Sequence, residues 1–158
     1  MLAVQEGKLS AARGFIEECR SRVERLFSAL LRESYRRAYY HLVTVQQLSE
    51  LEEIIDFKED EEKATRNLLS EQELENTKQW LMEKWSLRLR GCRASVPVWK
   101  RVLAVRKIMF SVTEDTTTWI DFANLCRHSG NLSLSLRVLE PWVDIRDDLL
   151  LEKSGEKA

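Results

Sequence analysis

The stretch LRLRGCRASVPVW, residues 87–99, marks a break between two predicted helices. Gly91 suits the C-terminal end of a helix because glycine tolerates positive φ. Pro97 suits the first turn of a helix, where no amide donor is needed. The stretch therefore predicts one helix that ends near Gly91 and another that begins near Pro97. Its three arginines and Cys92 leave two other interpretations open, a nucleic-acid-binding surface and a reactive thiol.

The composition around this break favours a helical protein. The 158 residues fit one ordinary domain. Only five glycines and two prolines interrupt a chain that is 44% apolar and 32% charged. The net charge of −1 excludes a general polyanion binder. The three cysteines are widely spaced and odd in number, which favours reduced thiols in a cytosolic or nuclear protein.

Two apolar stripes with helical spacing precede the break. The first stripe comprises Leu9, Ala12, Ile16, Cys19, Val23, Leu26 and Leu30. The second comprises Tyr35, Tyr39, Leu42, Val45, Leu48, Leu51 and Ile55. Together they predict an antiparallel helix hairpin over residues 9–57. Residues 58–69 are acidic and carry no stripe, so they predict a solvated loop.

The remaining sequence predicts two more hairpins. One spans residues 70–110, where Ser70 and Glu73 have the spacing of a capping box. The other spans residues 115–143 and turns at Gly130. Pro141 is expected to end or kink its second helix, and residues 151–158 form a predicted disordered tail. The predicted fold is all-α, with stacked antiparallel hairpins in a tetratricopeptide-like solenoid.

Motifs for catalysis or for cofactor and metal binding are missing from the sequence. The glycines are isolated and form no phosphate loop. Cys126 and His128 are the only close Cys/His pair, which is too few ligands for zinc. Arginines beside Cys92 could lower the pKa of its thiol, but arginine stays protonated and cannot act as its base. We therefore expect no catalytic, cofactor-binding or metal-binding residues.

Two oppositely charged blocks are the strongest candidates for interaction. Residues 84–107 contain eight basic residues, no acids and two tryptophans. Residues 50–75 contain eleven acids and three bases. Arginine and tryptophan together can bind single-stranded nucleic acid, but Trp85 and Trp99 both fall on apolar stripes. The pattern favours facing charged surfaces, within the protein or with a neighbouring domain.

Three ordered blocks of residues resemble the FAT region of the TOR (target of rapamycin) kinases. The first contains Ser34-Tyr35, Ala38-Tyr39 and Leu48-Ser49-Glu50-Leu51-Glu52-Glu53. The second contains Trp85, Arg88-Leu89, Gly91-Cys92, Trp99, Leu103 and Val105-Arg106. The third contains Glu114-Asp115, Trp119, Leu125-Cys126, Ser129-Gly130 and Leu132. The resemblance covers residues 34–139. The chain departs from it in a longer acidic connection, residues 58–77, and in Pro97-Val98 at a helix start.

The resemblance implies a non-catalytic scaffold segment of a TOR-type serine/threonine kinase. In that family the FAT region is a curved stack of helix pairs that clasps the kinase domain and helps to hold accessory subunits. The implied partners are that kinase domain and those subunits, without nucleic acid or membrane insertion. The implied location is the cytoplasm, with the nucleus or the periphery of endomembranes compatible for a larger complex. The parent protein would act in growth and nutrient signalling.

Two other functions remain open beside this one. They are a free-standing helical-repeat adaptor for proteins and a single-strand nucleic-acid binder that uses residues 84–107. The expected structural core is Tyr35, Tyr39, Leu48, Trp85, Trp99 and Trp119, and the expected helix turns are Gly91 and Gly130.

Overall fold

The computed structural model describes the backbone of residues 1–155 and the side chains of residues 1–143. Over this part of the chain the predicted all-α fold is confirmed: seven helices and no strand are present. The helices are α1 (Leu2–Gln5), α2 (Leu9–Glu33), α3 (Tyr35–Thr65), α4 (Glu71–Gly91), α5 (Val96–Arg106), α6 (Thr116–His128) and α7 (Leu132–Gly155). Within the described residues, no helix has the length and apolar character needed to cross a bilayer. The solenoid arrangement of the hairpins stays a prediction.

The chain forms two compact units, which are described separately. The first unit comprises Met1–Arg93 and Pro97–Met109, and the second comprises Ala94–Val96 and the residues from Phe110 onward. The first unit therefore holds α1 to α4 and nearly all of α5. The second unit holds α6 and α7.

Helix α3 is the central element of the first unit. It runs antiparallel to α2, since Arg13 contacts Asp56 whereas Arg20 contacts Glu52. Helices α4 and α5 pack on its other sides. Its buried residues therefore occupy several faces rather than one stripe. They are Ala38, Val43, Leu48, Glu50, Leu51, Ile54, Ile55 and Phe57.

The acidic loop predicted over residues 58–69 is wrong for most of its length, because α3 continues to Thr65. Glutamate and lysine make up five of the eight residues 58–65 and are good helix formers, so a solvated helix needs no apolar stripe here. Asn67, two residues past the helix end, has a φ of 57°, which lies in the left-handed region. The Leu68 amide donates to the Lys63 carbonyl across this turn (2.9 Å).

The start of α4 matches the sequence prediction, whereas its end differs from it. The capping box is confirmed: the Glu73 amide donates to Ser70 Oγ (3.2 Å), and the Ser70 amide donates to Glu73 Oε2 (3.0 Å). Gly91, however, is the last residue of α4 and lacks positive φ. The chain turns instead at Cys92, which is extended. Pro97 is the second residue of α5, as its missing amide donor favours.

The second unit is a helix hairpin that turns at Gly130. This glycine has a φ of 78°, and the Asn131 amide donates to the Cys126 carbonyl across the turn (2.9 Å). Ser135 Oγ donates to the Ala123 carbonyl (2.8 Å), which joins α7 to α6. Helix α7 continues past Pro141 to Gly155. The predicted tail is thus helical over residues 151–155, and residues 156–158 lie outside the described residues.

The six expected core residues lie at different depths. Leu48, Trp85 and Trp119 are buried, whereas Tyr39 and Trp99 are half-buried. Tyr35 is 68% exposed and does not belong to the core. It is the first residue of α3, where the helix has only begun and a single-stripe prediction overestimates the packing. Trp85 is 1% exposed and is the largest of the fully buried side chains among the described residues.

Candidate functional site

A buried ion pair joins three helices of the first unit. Glu50 of α3 is fully buried and Arg106 of α5 is 2% exposed. Arg106 Nε and Nη2 donate to the two Glu50 oxygens at 3.1 Å and 2.8 Å, a bidentate arrangement. Arg106 Nη2 also donates to the Trp85 carbonyl of α4 (2.6 Å). One guanidinium group therefore ties α5 to both α3 and α4.

A chain of polar contacts connects this ion pair to the turn after α4. Gln46 Nε2 donates to Glu50 Oε1 (3.2 Å), and Cys92 Sγ donates to Gln46 Oε1 (3.2 Å). Burial raises the pKa of the Cys92 thiol above its ordinary value. The Arg106 charge and the hydrogen bond with Gln46 act to lower this pKa, but burial outweighs them. The thiol acts as a hydrogen-bond donor within the packed turn, and its raised pKa argues against a nucleophilic role.

Glu53, one turn after Glu50 on α3, accepts hydrogen bonds from α4. Trp85 Nε1 donates to it at 2.6 Å, and the two terminal nitrogens of Arg88 donate at 2.8 Å and 2.9 Å. Lys84 Nζ lies 2.7 Å away. Burial alone would raise the pKa of Glu53, but the hydrogen bonds from Arg88, Lys84 and Trp85 outweigh it and the net pKa is lowered.

Further polar contacts fix α5 along α3. Arg101 Nη2 donates to Thr44 Oγ1 (2.9 Å) and to Gln47 Oε1 (3.1 Å). Gln47 Nε2 donates in return to the Arg101 carbonyl (2.7 Å). Because residue numbers rise together along the two helices, α5 runs parallel to α3. The order of contacts between α3 and α4 is reversed, so α4 runs antiparallel to α3.

These contacts join the basic block, residues 84–107, to the acidic block, residues 50–75. Lys84, Arg88 and Arg106 of the basic block pair with Glu50 and Glu53 of the acidic block. Facing charged surfaces, favoured by the sequence, are therefore present within the first unit. Buried Trp85 has no free ring face on which a base could stack, which removes one of the two tryptophans that suggested nucleic-acid binding.

Sequence reasoning missed the residues that carry this junction. Glu50 lies off the predicted stripe of Leu48, Leu51 and Ile55, so helical periodicity did not indicate its burial. Arg106 appeared among the eight basic residues and in the Val105-Arg106 pair of the resemblance, without a role in packing. In the part of the chain whose side chains are described, no cluster of three His, Cys, Asp or Glu residues could hold a metal ion. The arrangement supports mechanical coupling of helices.

The fold and this junction define an all-α segment built from packed helix hairpins. The FAT domain family matches residues 1–150. A TOR serine/threonine-protein kinase of Arabidopsis thaliana is 38% identical over 133 residues, covering 84% of this chain and 5% of the relative. The TOR2 kinase of Saccharomyces cerevisiae is 39% identical over 121 residues, covering 77% and 4%. The target of rapamycin homolog of Caenorhabditis elegans is 33% identical over 156 residues, covering 98% and 5%.

The chain belongs to the FAT domain family, in the form that TOR kinases contain. It spans about one twentieth of the length of these relatives. The resemblance seen in the three sequence blocks is therefore confirmed.

Proposed function

We propose that this chain is a non-catalytic scaffold segment that holds and regulates the kinase domain of a TOR-type serine/threonine kinase. The observation that carries the proposal is the buried Glu50–Arg106 pair, which couples α3, α4 and α5. Such coupling joins three helices of the first unit into one packed body, which suits a clasp on a kinase domain. The partners proposed are the kinase domain and the accessory subunits of the complex.

Segment replacement tests this function. Residues 1–150 of this chain replace the matching segment of the Saccharomyces cerevisiae TOR2 kinase, and the abundance and protein kinase activity of the chimera are measured. We expect the chimera to retain activity. We expect Arg106→Met in the chimera to lower activity per molecule, because the three helices lose their shared ion pair.

A matched control separates this effect from a general loss of charge. Arg25 is exposed on α2, so Arg25→Met removes the same charge without touching the junction. Its chimera should keep full activity. A chimera that accumulates normally but lacks kinase activity would contradict the scaffold function and favour a free-standing adaptor.

A further inference from the structure

Arginines and tyrosines cluster at one end of the first unit, where the turn between α2 and α3 meets the end of α4. Residues 31–40 and 86–93 together contain six arginines and one acid, Glu33. One of the six, Arg88, forms an ion pair with Glu53. The others form the arginine–tyrosine patch, which we define as Arg32, Arg36, Arg37, Arg90 and Arg93 together with Tyr35 and Tyr40.

One hydrogen bond places the two segments of the patch beside each other. The Arg93 amide donates to the Tyr39 hydroxyl (2.6 Å), which brings the residue after α4 onto the first turns of α3. Arg36 lies three residues before Tyr39 and therefore on the same face of α3. The rings of Tyr35 and Tyr39 are 6.5 Å apart. The hydrogen bond between Arg93 and Tyr39 therefore has Tyr35 and Arg36 beside it on α3.

The charges of the patch are largely uncompensated. All five arginines are exposed, as are Tyr35 and Tyr40. Arg37 lies 3.6 Å from Glu33, and Arg90 donates to Ser86 Oγ (3.1 Å). The structure gives the side chains of Arg32, Arg36 and Arg93 no ion pair among the described residues. Their positive potential is available to a partner.

The opposite end of the first unit has the reverse charge. Since α3 and α4 are antiparallel, the acidic end of α3 and the acidic start of α4 lie together. Three bases, Lys58, Lys63 and Arg66, lie in this region, and Arg13 and Lys63 pair with three of its acids. The region keeps an excess of acids, which are Asp56, Glu59, Asp60, Glu61, Glu62, Glu71, Glu73 and Glu75. A long polyanion that extended along the unit from the patch would meet this repulsive end. A short anionic segment would not.

We propose that the arginine–tyrosine patch docks a short acidic peptide segment of a partner protein. Arginine forks bind carboxylates in bidentate fashion. Arginine and tyrosine are also the residues that protein interfaces favour, because tyrosine adds contact area at a small entropic cost. The absence of lysine from both segments fits directed carboxylate contacts better than diffuse attraction. The site goes beyond the scaffold function and does not depend on it.

Fluorescence anisotropy with the full 158-residue chain tests the site. The probe is a fluorescein-labelled peptide in which glutamates alternate with glycine and serine around two tyrosines. We expect saturable binding that weakens as salt rises. The same peptide with glutamine in place of every glutamate should not bind. No saturable binding of the acidic peptide below about 100 μM, which corresponds to roughly 5–6 kcal/mol, would overturn the proposal.

Paired variants localise the binding. Arg36→Gln with Arg93→Gln should weaken the affinity about tenfold, as expected for two partly exposed ion pairs. Arg22→Gln with Arg25→Gln removes equal charge from the middle of α2 and should change little. Tyr35→Ala should also weaken binding, while its exposure leaves the thermal midpoint unchanged. An equal loss in both arginine pairs would show nonspecific attraction and overturn the proposal.

Two further probes distinguish other anionic partners. A labelled single-stranded oligonucleotide and vesicles of phosphatidylserine with phosphatidylcholine are titrated under the same salt conditions. Weaker binding of both than of the peptide supports the proposal. Tighter binding of either one, with the same loss in the Arg36→Gln/Arg93→Gln variant, would assign the patch to nucleic acid or to a membrane surface and overturn it.

Discussion

Arg106 and Glu50 form an ion pair from which water is almost completely excluded, with 2% and 0% of their side-chain surfaces exposed. Taking both charges out of water is costly. Their mutual attraction and the bond to the Trp85 carbonyl offset part of that cost, while Arg106 Nη1 stays buried without a hydrogen-bond partner among the described residues. Removing one partner would leave a buried charge without compensation. The pair therefore makes the packing of α3, α4 and α5 interdependent.

Arg106→Met should lower the free energy of unfolding by about 3–5 kcal/mol, because Glu50 would remain buried and unpaired. The double variant with Glu50→Met should recover much of this loss, since methionine matches the volume and leaves no charge. Urea unfolding followed by circular dichroism measures both. Arg90→Met, on the exposed end of α4, is the control and should stay within about 0.5 kcal/mol. A double variant no more stable than the single would argue against an uncompensated charge as the cause.

Glu53 should make stability depend on pH. Its pKa is lowered in the folded protein, so the folded state favours the carboxylate relative to the unfolded chain. The resulting stabilisation is fully present above the unfolded pKa of about 4.3 and is lost as pH falls through the folded pKa. The stability difference between the wild type and Glu53→Gln should thus be constant above about pH 5 and shrink as the pH falls further. Glu62→Gln, on an exposed site, should show no such change; a Glu53→Gln difference that grows on acidification would refute the assignment.

Two glycine substitutions should have opposite effects. Gly130 has a φ of 78°, so Gly130→Ala should destabilise the second unit by about 1–2 kcal/mol. Gly14 lies inside α2 without positive φ, so Gly14→Ala should stabilise by about 0.5–1 kcal/mol. Apart from the adjacent residues and the local helix backbone, no atom lies within 4 Å of an added Cβ at either site, so backbone conformation decides the sign. Thermal melts compare the midpoints of the two variants. Equal shifts of the midpoint would contradict the turn assigned to Gly130.

Trp119 is the most informative core position in the second unit. It is buried and meets the Phe122 ring edge-on, with the centroids 6.1 Å apart. Trp119→Ala should cost about 3–5 kcal/mol through lost burial and the cavity left behind. Ile120, its exposed neighbour, supplies the control, since Ile120→Ala should cost far less. An unchanged thermal midpoint for Trp119→Ala would remove Trp119 from the core.

Local signals in the sequence predicted the helices more accurately than their packing. Ser70 and Glu73 satisfy each other within four residues, so the start of α4 is encoded locally. Gly91 was predicted to end α4 by a similarly local signal. The glycine is helical, however, and the extended residue that follows the helix is Cys92. A helix end depends on the path of the chain beyond it, which one residue type does not determine.

The junction could be predicted only in part because it depends on contacts distant in sequence. Opposite charge in two blocks indicated facing surfaces, yet it could not single out the pairing of Glu50 with Arg106, 56 residues apart. The single stripe assigned to α3 placed Tyr35 in the core and left Glu50 outside it. A helix that packs against neighbours on several sides buries residues on several faces. The spacing of its apolar residues then does not predict which residues are buried.

Amide hydrogen exchange of the full chain tests most directly whether the first unit is one mechanically coupled body. We expect amides of residues 48–55 in α3 to be among the slowest in the first unit, exchanging only through its global opening. We expect Arg106→Met to reduce the protection of α4 and α5 together. Rapid exchange over residues 48–55 in the wild type, or a loss of protection confined to α5 in the variant, would contradict the coupling on which the scaffold function rests.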